Sequence, residues 1–456
     1  MVQHHYQHCG GTQSLYLGAQ NPWRAHTRFL CRGITVYLTT IQIASTCPIR
    51  GRWCLVFADY DGAVSDPAKT ALVICYSRLE SDPRVTRQID WLTAAGWTVD
   101  TLGFGDRPRP AVRQHFALQP FRGLRKLAAV RLAFHALLPN SPRFRALEGS
   151  RIPQELYKPE LRGSYGLVLV NDIDLLPWVE WNAARLLSNA PAGRCHLDLH
   201  EYHSWVPANG SSPVTRWLFA GYHQWHLAFV GSKIFTSRST VAAHLAELYA
   251  QDFAVPLPSV VRNSPAFVEQ APSPVDPDQI DLVYHGYAEL ARGLHLLIDA
   301  MRLMEDRFVL NLLLTGSLEQ RAALASMTAR LGSRVRFIDA VPMNEVASTI
   351  NKFDLEVIFL PPSNLSFEYA LPNKFFEAVQ GRLGVVIGDS LSMTEITRQY
   401  GNGLVVEGWA AKDLAGAINA LTTEDIRRLK QGSVMCATEF NSESESSTFL
   451  RSIEPD

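Results

Sequence analysis

Ala71-Leu72-Val73-Ile74-Cys75-Tyr76 is an unbroken apolar run, and the segment from Pro83 after it repeats apolar residues at Val85, Ile89 and Leu92 before stopping at Gly96. A run without polar alternation is what a strand buried on both faces requires. The i, i+4, i+7 spacing is that of a helix with one buried face, Pro83 suits its first turn, and Gly96 ends it. Residues 97–102 read as the next strand. Strand, helix and strand at this spacing predict parallel pairing with helices on both sheet faces.

The same alternation continues outward. Strands are expected at 166–170, 194–199, 233–236 and 259–261, with helices over 175–187, 214–229 and 240–249. A second set begins with a strand at 280–284 ending in His285-Gly286. The helix after Arg292 then places Leu294, Leu297, Ile298 and Met301 on one face. Further strands read at 308–314, 335–338, 355–360, 384–387 and 403–406. Between the two sets, residues 263–278 hold Pro265, Pro272, Pro274 and Pro277 with no periodicity, which marks a linker. The expected fold is α/β: two Rossmann-like, doubly wound parallel sheets facing a cleft, with ligands beyond the carboxyl ends of the strands. The boundaries read as 71–265, 266–433 and a last segment 434–456. Residues 1–70 lack this texture while holding four of the seven Cys and four of the fourteen His, and are expected to be an atypical, dispensable extension or a wrongly assigned start, with a real accessory segment as the alternative.

Composition narrows the function classes. The 456 residues are about three times a typical domain, are 47% hydrophobic and 19% charged, and so exclude a disordered chain. Forty-three Lys and Arg against 44 Asp and Glu leave a net charge of −1, so no global basicity points to nucleic acid. The seven Cys form no C-x-x-C pair and no Cys/His cluster has metal-ligand spacing, which fits a reducing, cytoplasmic setting. No apolar run is long enough to span a bilayer as a helix.

Five short stretches, in order, are distinctive: Ser81-Asp82-Pro83-Arg84-Val85, Asp198-Leu199-His200-Glu201, Val261-Arg262-Asn263-Ser264-Pro265, His285-Gly286 with Arg292-Gly293-Leu294, and Ala370-Leu371-Pro372-Asn373-Lys374-Phe375-Phe376-Glu377. Over about residues 72–455 the chain resembles the family 4 (group 1) glycosyltransferases. The resemblance implies a GT-B fold and transfer of a sugar from a nucleotide-linked donor (UDP or GDP) with retention, without metal or further cofactor. It also implies a last helix near 437–453 crossing back to the N-terminal domain. Two positions depart from the family pattern: Tyr287 stands where an arginine usually follows the glycine, and Tyr369 where the first of two glutamates usually stands.

The residues carry a physical case beside the resemblance. Arg292, at a strand-to-helix junction after Gly286, can fork onto phosphate oxygens. Asn373 and Lys374 begin a helix whose first N–H groups are unpaired and favour anions. Glu377, a turn further in, can accept both hydroxyls of a ribose. His200, flanked by Asp198 and Glu201 just past an apolar strand, is the catalytic candidate with Glu201, while a structural role for a lone His stands beside it. Asp82 and Arg84, at the first strand-to-helix loop, are read as acceptor contacts, with a helix cap and its partner as the alternative. Asp172-Ile173-Asp174 has metal-binding spacing but reads as a loop and N-cap ahead of the 175–187 helix.

One region stands apart. Residues 107–162 hold twelve Arg or Lys against three Glu, with Leu127, Phe134 and Leu138 interleaved, in a chain otherwise acidic. A basic amphipathic insertion suits an anionic membrane surface beside a glycan or lipid-linked acceptor, or else it is a solvated face. Two other readings stay open: a non-catalytic subunit of this architecture that binds a nucleotide or partner, and a nucleotide-sugar epimerase.

Overall fold

Thr70–Arg78 is an interior strand of the first sheet and is buried over most of its length. In the computed structural model the described residues are 67–120, 135–188, 193–203, 213–288 and 293–454, with the two short strands Leu30–Cys31 and Ile34–Thr35. Those two strands pair antiparallel within a unit, Met1–Val64, distinct from Ser65–Asp456. Otherwise the reading of 1–70 as an extension lies outside the described residues, apart from Pro67–Lys69 and Thr70.

Seven parallel strands make the first sheet, in the spatial order Gln114–Ala117, Thr98–Phe104, Thr70–Arg78, Leu167–Asn171, Arg194–Leu199, Ser237–Thr240 and Ser259–Val260. Six make the second: Val335–Ile338, Phe308–Thr315, Ile280–Tyr287, Leu355–Ile358, Gly384–Gly388 and Gly403–Val406. In each sheet the chain order reverses beside its first strand, which opens a crevice beyond the carboxyl ends. Two apolar clusters cover each sheet, one per face. Ile74, Val168 and Leu197 face Trp178 and Tyr249 on one side of the first sheet, while Val73, Leu169 and Val85 meet Phe449 on the other.

Several elements differ from the sequence reading. The strand expected at 233–236 lies at Ser237–Thr240, a polar stretch that period and propensity do not mark. Its buried hydroxyls explain the burial: Ser237 and Ser239 each lie 2.8 Å from a ring nitrogen of His196 on the neighbouring strand. Gln114–Ala117, inside the basic stretch, pairs with Thr98–Phe104 as the edge strand. The helix expected over 437–453 is the end of Thr423–Glu439 and a separate helix, Ser442–Ile453, which Asn441 caps. Ser442–Ile453 lies on the first sheet: Phe449 and Ile453 are buried there, and Trp91 donates to Ser442 Oγ at 2.9 Å. The proline-rich 263–278 has no regular structure yet is tied down, with Val268 N–H donating to Gln380 and Gln270 to the Gln380 carbonyl.

Candidate active site

Both crevices open into one cavity of about 750 Å³, bordered by Ser81–Arg84, His200 and Glu201 from the first sheet and by His285–Tyr287, Thr315, Asn373, Lys374 and Glu377 from the second.

On the first side, Asp198 ends the buried strand Arg194–Leu199 and organises its neighbours. Arg84 donates to it twice, at 2.5 and 2.6 Å, and Gln88 and Ser239 donate at 2.6 and 2.5 Å. The third arm of Arg84 reaches the Val261 carbonyl. The guanidinium is therefore buried and committed to Asp198 and Val261, while Arg84 and Asp82 both border the cavity. Asp82 is occupied too, since its carboxylate accepts the N–H groups of Arg84 and Val85 and the Ser77 hydroxyl, capping the helix Pro83–Ala94. Both residues serve the alternative given for them, a cap and a structural partner.

His200 sits at the floor of the cavity between carboxylates. Its Nε2 lies 2.9 Å from Asn171 Oδ1 and 3.2 Å from Asp198, and its Nδ1 lies 3.4 Å from Asp172. Burial works against a charge there, but Asp172 foremost and then Asp198 push the imidazole pKa up to about 9. At neutral pH the ring is a cation facing the cleft. Asp172 also accepts from the His200 backbone N–H and lies 3.0 Å from His203 Nε2. Its backbone is left-handed, at φ 61°. This corrects the N-cap reading of Asp172-Ile173-Asp174: the residue at the cap of Leu176–Leu186 is Leu175, and Asp172 is used to hold two imidazoles. Glu201 borders the cavity with its side chain exposed, and its carbonyl accepts from Tyr249.

On the second side, Gly286 at φ 119° adopts a backbone that side chains rarely take, and a Cβ there would lie 3.6 Å from Lys374 Nζ. Lys374 is buried, its ammonium lies 3.7 Å over the Tyr284 ring, and it has no hydrogen-bond partner among the described residues. Pro372 precedes the helix Asn373–Gln380 without a side-chain cap, so the N–H groups of Asn373 and Lys374 remain open, while that of Phe375 donates to the Pro372 carbonyl. Asn373 accepts from Asn263 of the linker, which in turn accepts from Arg87 of the first domain. Glu377 is buried and accepts from His285 Nε2 at 2.8 Å. Burial alone would raise its pKa, but His285 first, with Arg87 and Lys374, holds it below the usual range. Tyr287 and Tyr369 both border the cavity. Arg292 lies outside the described residues.

The structure thus brings together His200, Glu201, Gly286, Asn373, Lys374 and Glu377. Sequence reading missed His285 as a side chain with a task, and with it Glu356. The signal was present: Glu356 is a carboxylate inside the buried strand Leu355–Ile358, and such a group needs a partner.

Two facing parallel-sheet domains with a cleft between their carboxyl ends define the GT-B fold. Residues 279–424, under half of the chain, match the family model described as glycosyl transferases group 1. No curated protein matches the sequence. Among solved structures, sucrose-phosphate synthase from Thermosynechococcus elongatus is similar over 84% of this chain and 98% of its own, at 16% identity and a TM-score of 0.58. HepE from Anabaena, in complex with UDP and glucose, is similar over 84% and 98%, at 15% identity and a TM-score of 0.57. An α,α-trehalose 6-phosphate synthase from Burkholderia multivorans is similar over 84% and 96%, at 12% identity and a TM-score of 0.56. At these identities the likeness carries the fold. Residues 279–424 are thus similar to the group 1 glycosyl transferases, in a chain whose described body has the GT-B fold.

Proposed function

We propose that this protein transfers a sugar from a nucleotide-sugar donor, UDP- or GDP-linked, to a glycan or lipid-linked acceptor, with retention and without a metal. The observation that carries the donor half is Lys374, a buried ammonium without an acceptor, set beside Gly286 and the open start of Asn373–Gln380. An anion is the missing partner of such a group, and a diphosphate supplies one there. HepE, of the same fold, was solved with UDP and glucose. In this reading Gly286, Asn373, Lys374 and Arg292 take the diphosphate, and Glu377 takes the ribose hydroxyls.

His200 then acts from the opposite wall. As an imidazolium it stabilises the negative charge that develops on the leaving diphosphate, while Asp172 and Asp198 hold it in place. Glu201 faces the same space. No side chain is assigned a covalent role; the departing phosphate takes the proton of the incoming hydroxyl. A cytoplasmic location belongs to this reading, since that is where nucleotide-linked sugars are made.

The test is calorimetric titration with UDP and GDP. Lys374→Met should weaken binding about ten- to hundredfold, the worth of a charge-assisted contact, while leaving thermal stability equal or higher because an unpaired buried cation is removed. Unaltered affinity in that variant removes Lys374 from the donor site. In turnover assays, nucleoside diphosphate should be released only when acceptor is present, and release should persist in EDTA.

A further inference from the structure

The charges on the donor wall are paired in an order that the helix Asn373–Gln380 alone would not produce. Lys374 and Glu377 stand three residues apart, a spacing that ordinarily brings opposite charges together. Here they are kept apart: Lys374 has no hydrogen-bond partner, while Glu377 accepts from His285. The other ring nitrogen of His285 lies 2.9 Å from Glu356 Oε2, and its backbone N–H donates to Glu356 Oε1 at 3.3 Å. With a carboxylate oxygen at each nitrogen, the ring must carry a proton on both. The ring is almost wholly buried, and the charged groups about it are Glu356 and Glu377, with Lys374 and Arg87 beyond Glu377. Arg87 is itself engaged by Asn263.

We propose that His285 is a positioning residue: as an imidazolium clamped between Glu356 and Glu377, it keeps Glu377 from pairing with Lys374 and so reserves the Lys374 ammonium for an anionic group of the ligand. The inference rests on the donor-site reading above and adds the device that keeps the site open. Without the clamp, Glu377 is a carboxylate within electrostatic reach of an ammonium that has no hydrogen-bond partner, and their collapse would fill the site from within. Gln cannot replace the ring, because it lacks the charge and would turn its carbonyl oxygen toward one of the two carboxylates.

The test compares wild type, His285→Gln, Lys374→Ala and the double variant by calorimetry with UDP, GDP and inorganic pyrophosphate. At neutral pH, His285→Gln should lose about tenfold or more in affinity, and the same change added to Lys374→Ala should cost little further, because His285 acts through Lys374. Wild-type affinity should fall as the pH passes about 9, where the His285 and His200 imidazoliums both discharge, and the fall should be shallower in His285→Gln, which keeps only the His200 contribution. Binding by His285→Gln equal to wild type, or losses that simply add in the double variant, would overturn the proposal. Should His285→Gln fail to fold, wild-type affinity unchanged through that pH range overturns it equally. Wild type that binds none of the three probes defeats the donor-site reading and takes this proposal with it, whereas normal wild-type binding with an unaffected His285→Gln defeats the proposal alone.

Discussion

At the scale of single residues, this molecule concentrates its charge in two buried knots, one on each wall of the cleft. Asp198 takes four donated hydrogen bonds from Arg84, Gln88 and Ser239 with His200 alongside, so its carboxylate stays well below the usual pKa range despite burial. Removing one partner of such a pair leaves an uncompensated buried charge. Asp198→Ala should therefore cost about 3–5 kcal/mol in urea unfolding. The histidines set a second dependence. His200 and His285 are each pushed up to about 9 in the folded state, against an ordinary value of 6.5. The folded protein thus holds protons that the unfolded chain has released, and the stability these groups contribute is complete below about pH 6.5 and lost as the pH rises through about 9. Thermal melts across that window should show a falling midpoint, and His200→Asn with His285→Gln should flatten the curve; a wild-type midpoint constant across it would contradict the charge states assigned here.

At the scale of elements, each crevice is bordered by the start of a helix, in the first sheet the one after Thr70–Arg78 and in the second the one that follows Leu355–Ile358, but the two starts are used differently. The helix Pro83–Ala94 is capped by Asp82, so its N-terminus is closed to a ligand. The helix Asn373–Gln380 has Pro372 before it and no side-chain cap, so its N-terminus is open beside Lys374. Asp82→Ala should accordingly cost about 1 kcal/mol of stability, the worth of an N-cap, and leave the affinity for UDP or GDP as it was. Acceptor kinetics check the other half: a rise in the acceptor KM without loss of stability would return Asp82 to the acceptor site. Packing also dictates the glycine ahead of the helix Leu294–Met301. Gly293 has φ 78°, and a Cβ there would lie 2.2 Å from the Phe359 carbonyl oxygen.

At the scale of the whole molecule, the basic region 107–162 divides. Arg113 donates to buried Asp100, and Arg151 donates to the Tyr76 hydroxyl and lies over the Phe104 ring. Arg143 is buried against Phe219 and Tyr222. Those cations belong to the fold. Arg122, Arg125, Lys126 and Arg131, with Leu127 and Phe134, lie outside the described residues, and no helix among the described residues is long and apolar enough to cross a membrane. We propose that this remaining group attaches the protein to anionic lipid, at about 1 kcal/mol for each cation that reaches the surface. Co-sedimentation with anionic liposomes should fall with ionic strength and with joint neutralisation of those four residues. Equal, minimal recovery with neutral and anionic vesicles at low salt would leave a soluble acceptor as the better reading.

What the sequence determined by itself was the order of the elements. A buried parallel strand is an apolar run and an amphipathic helix repeats every three to four residues, so 71–76, 308–314 and 384–387 were legible from local pattern alone. So was the proline-rich join between the two sheets. Ser237–Thr240 was not, because its burial depends on hydroxyls meeting a histidine on another strand. Of the candidate site, the residue types and their place at strand ends could be read, but the pairing of their charges could not. Arg84 meets Asp198 across 114 residues, and His285 meets Glu356 and Glu377 across 71 and 92. Those partners are chosen by strand order and by which side chains share a buried volume, where each charge must find an opposite or remain unpaired. Only the tertiary structure therefore decided that Arg84 pairs with Asp198, that Glu377 is held by a histidine, and that Lys374 has no hydrogen-bond partner among the described residues.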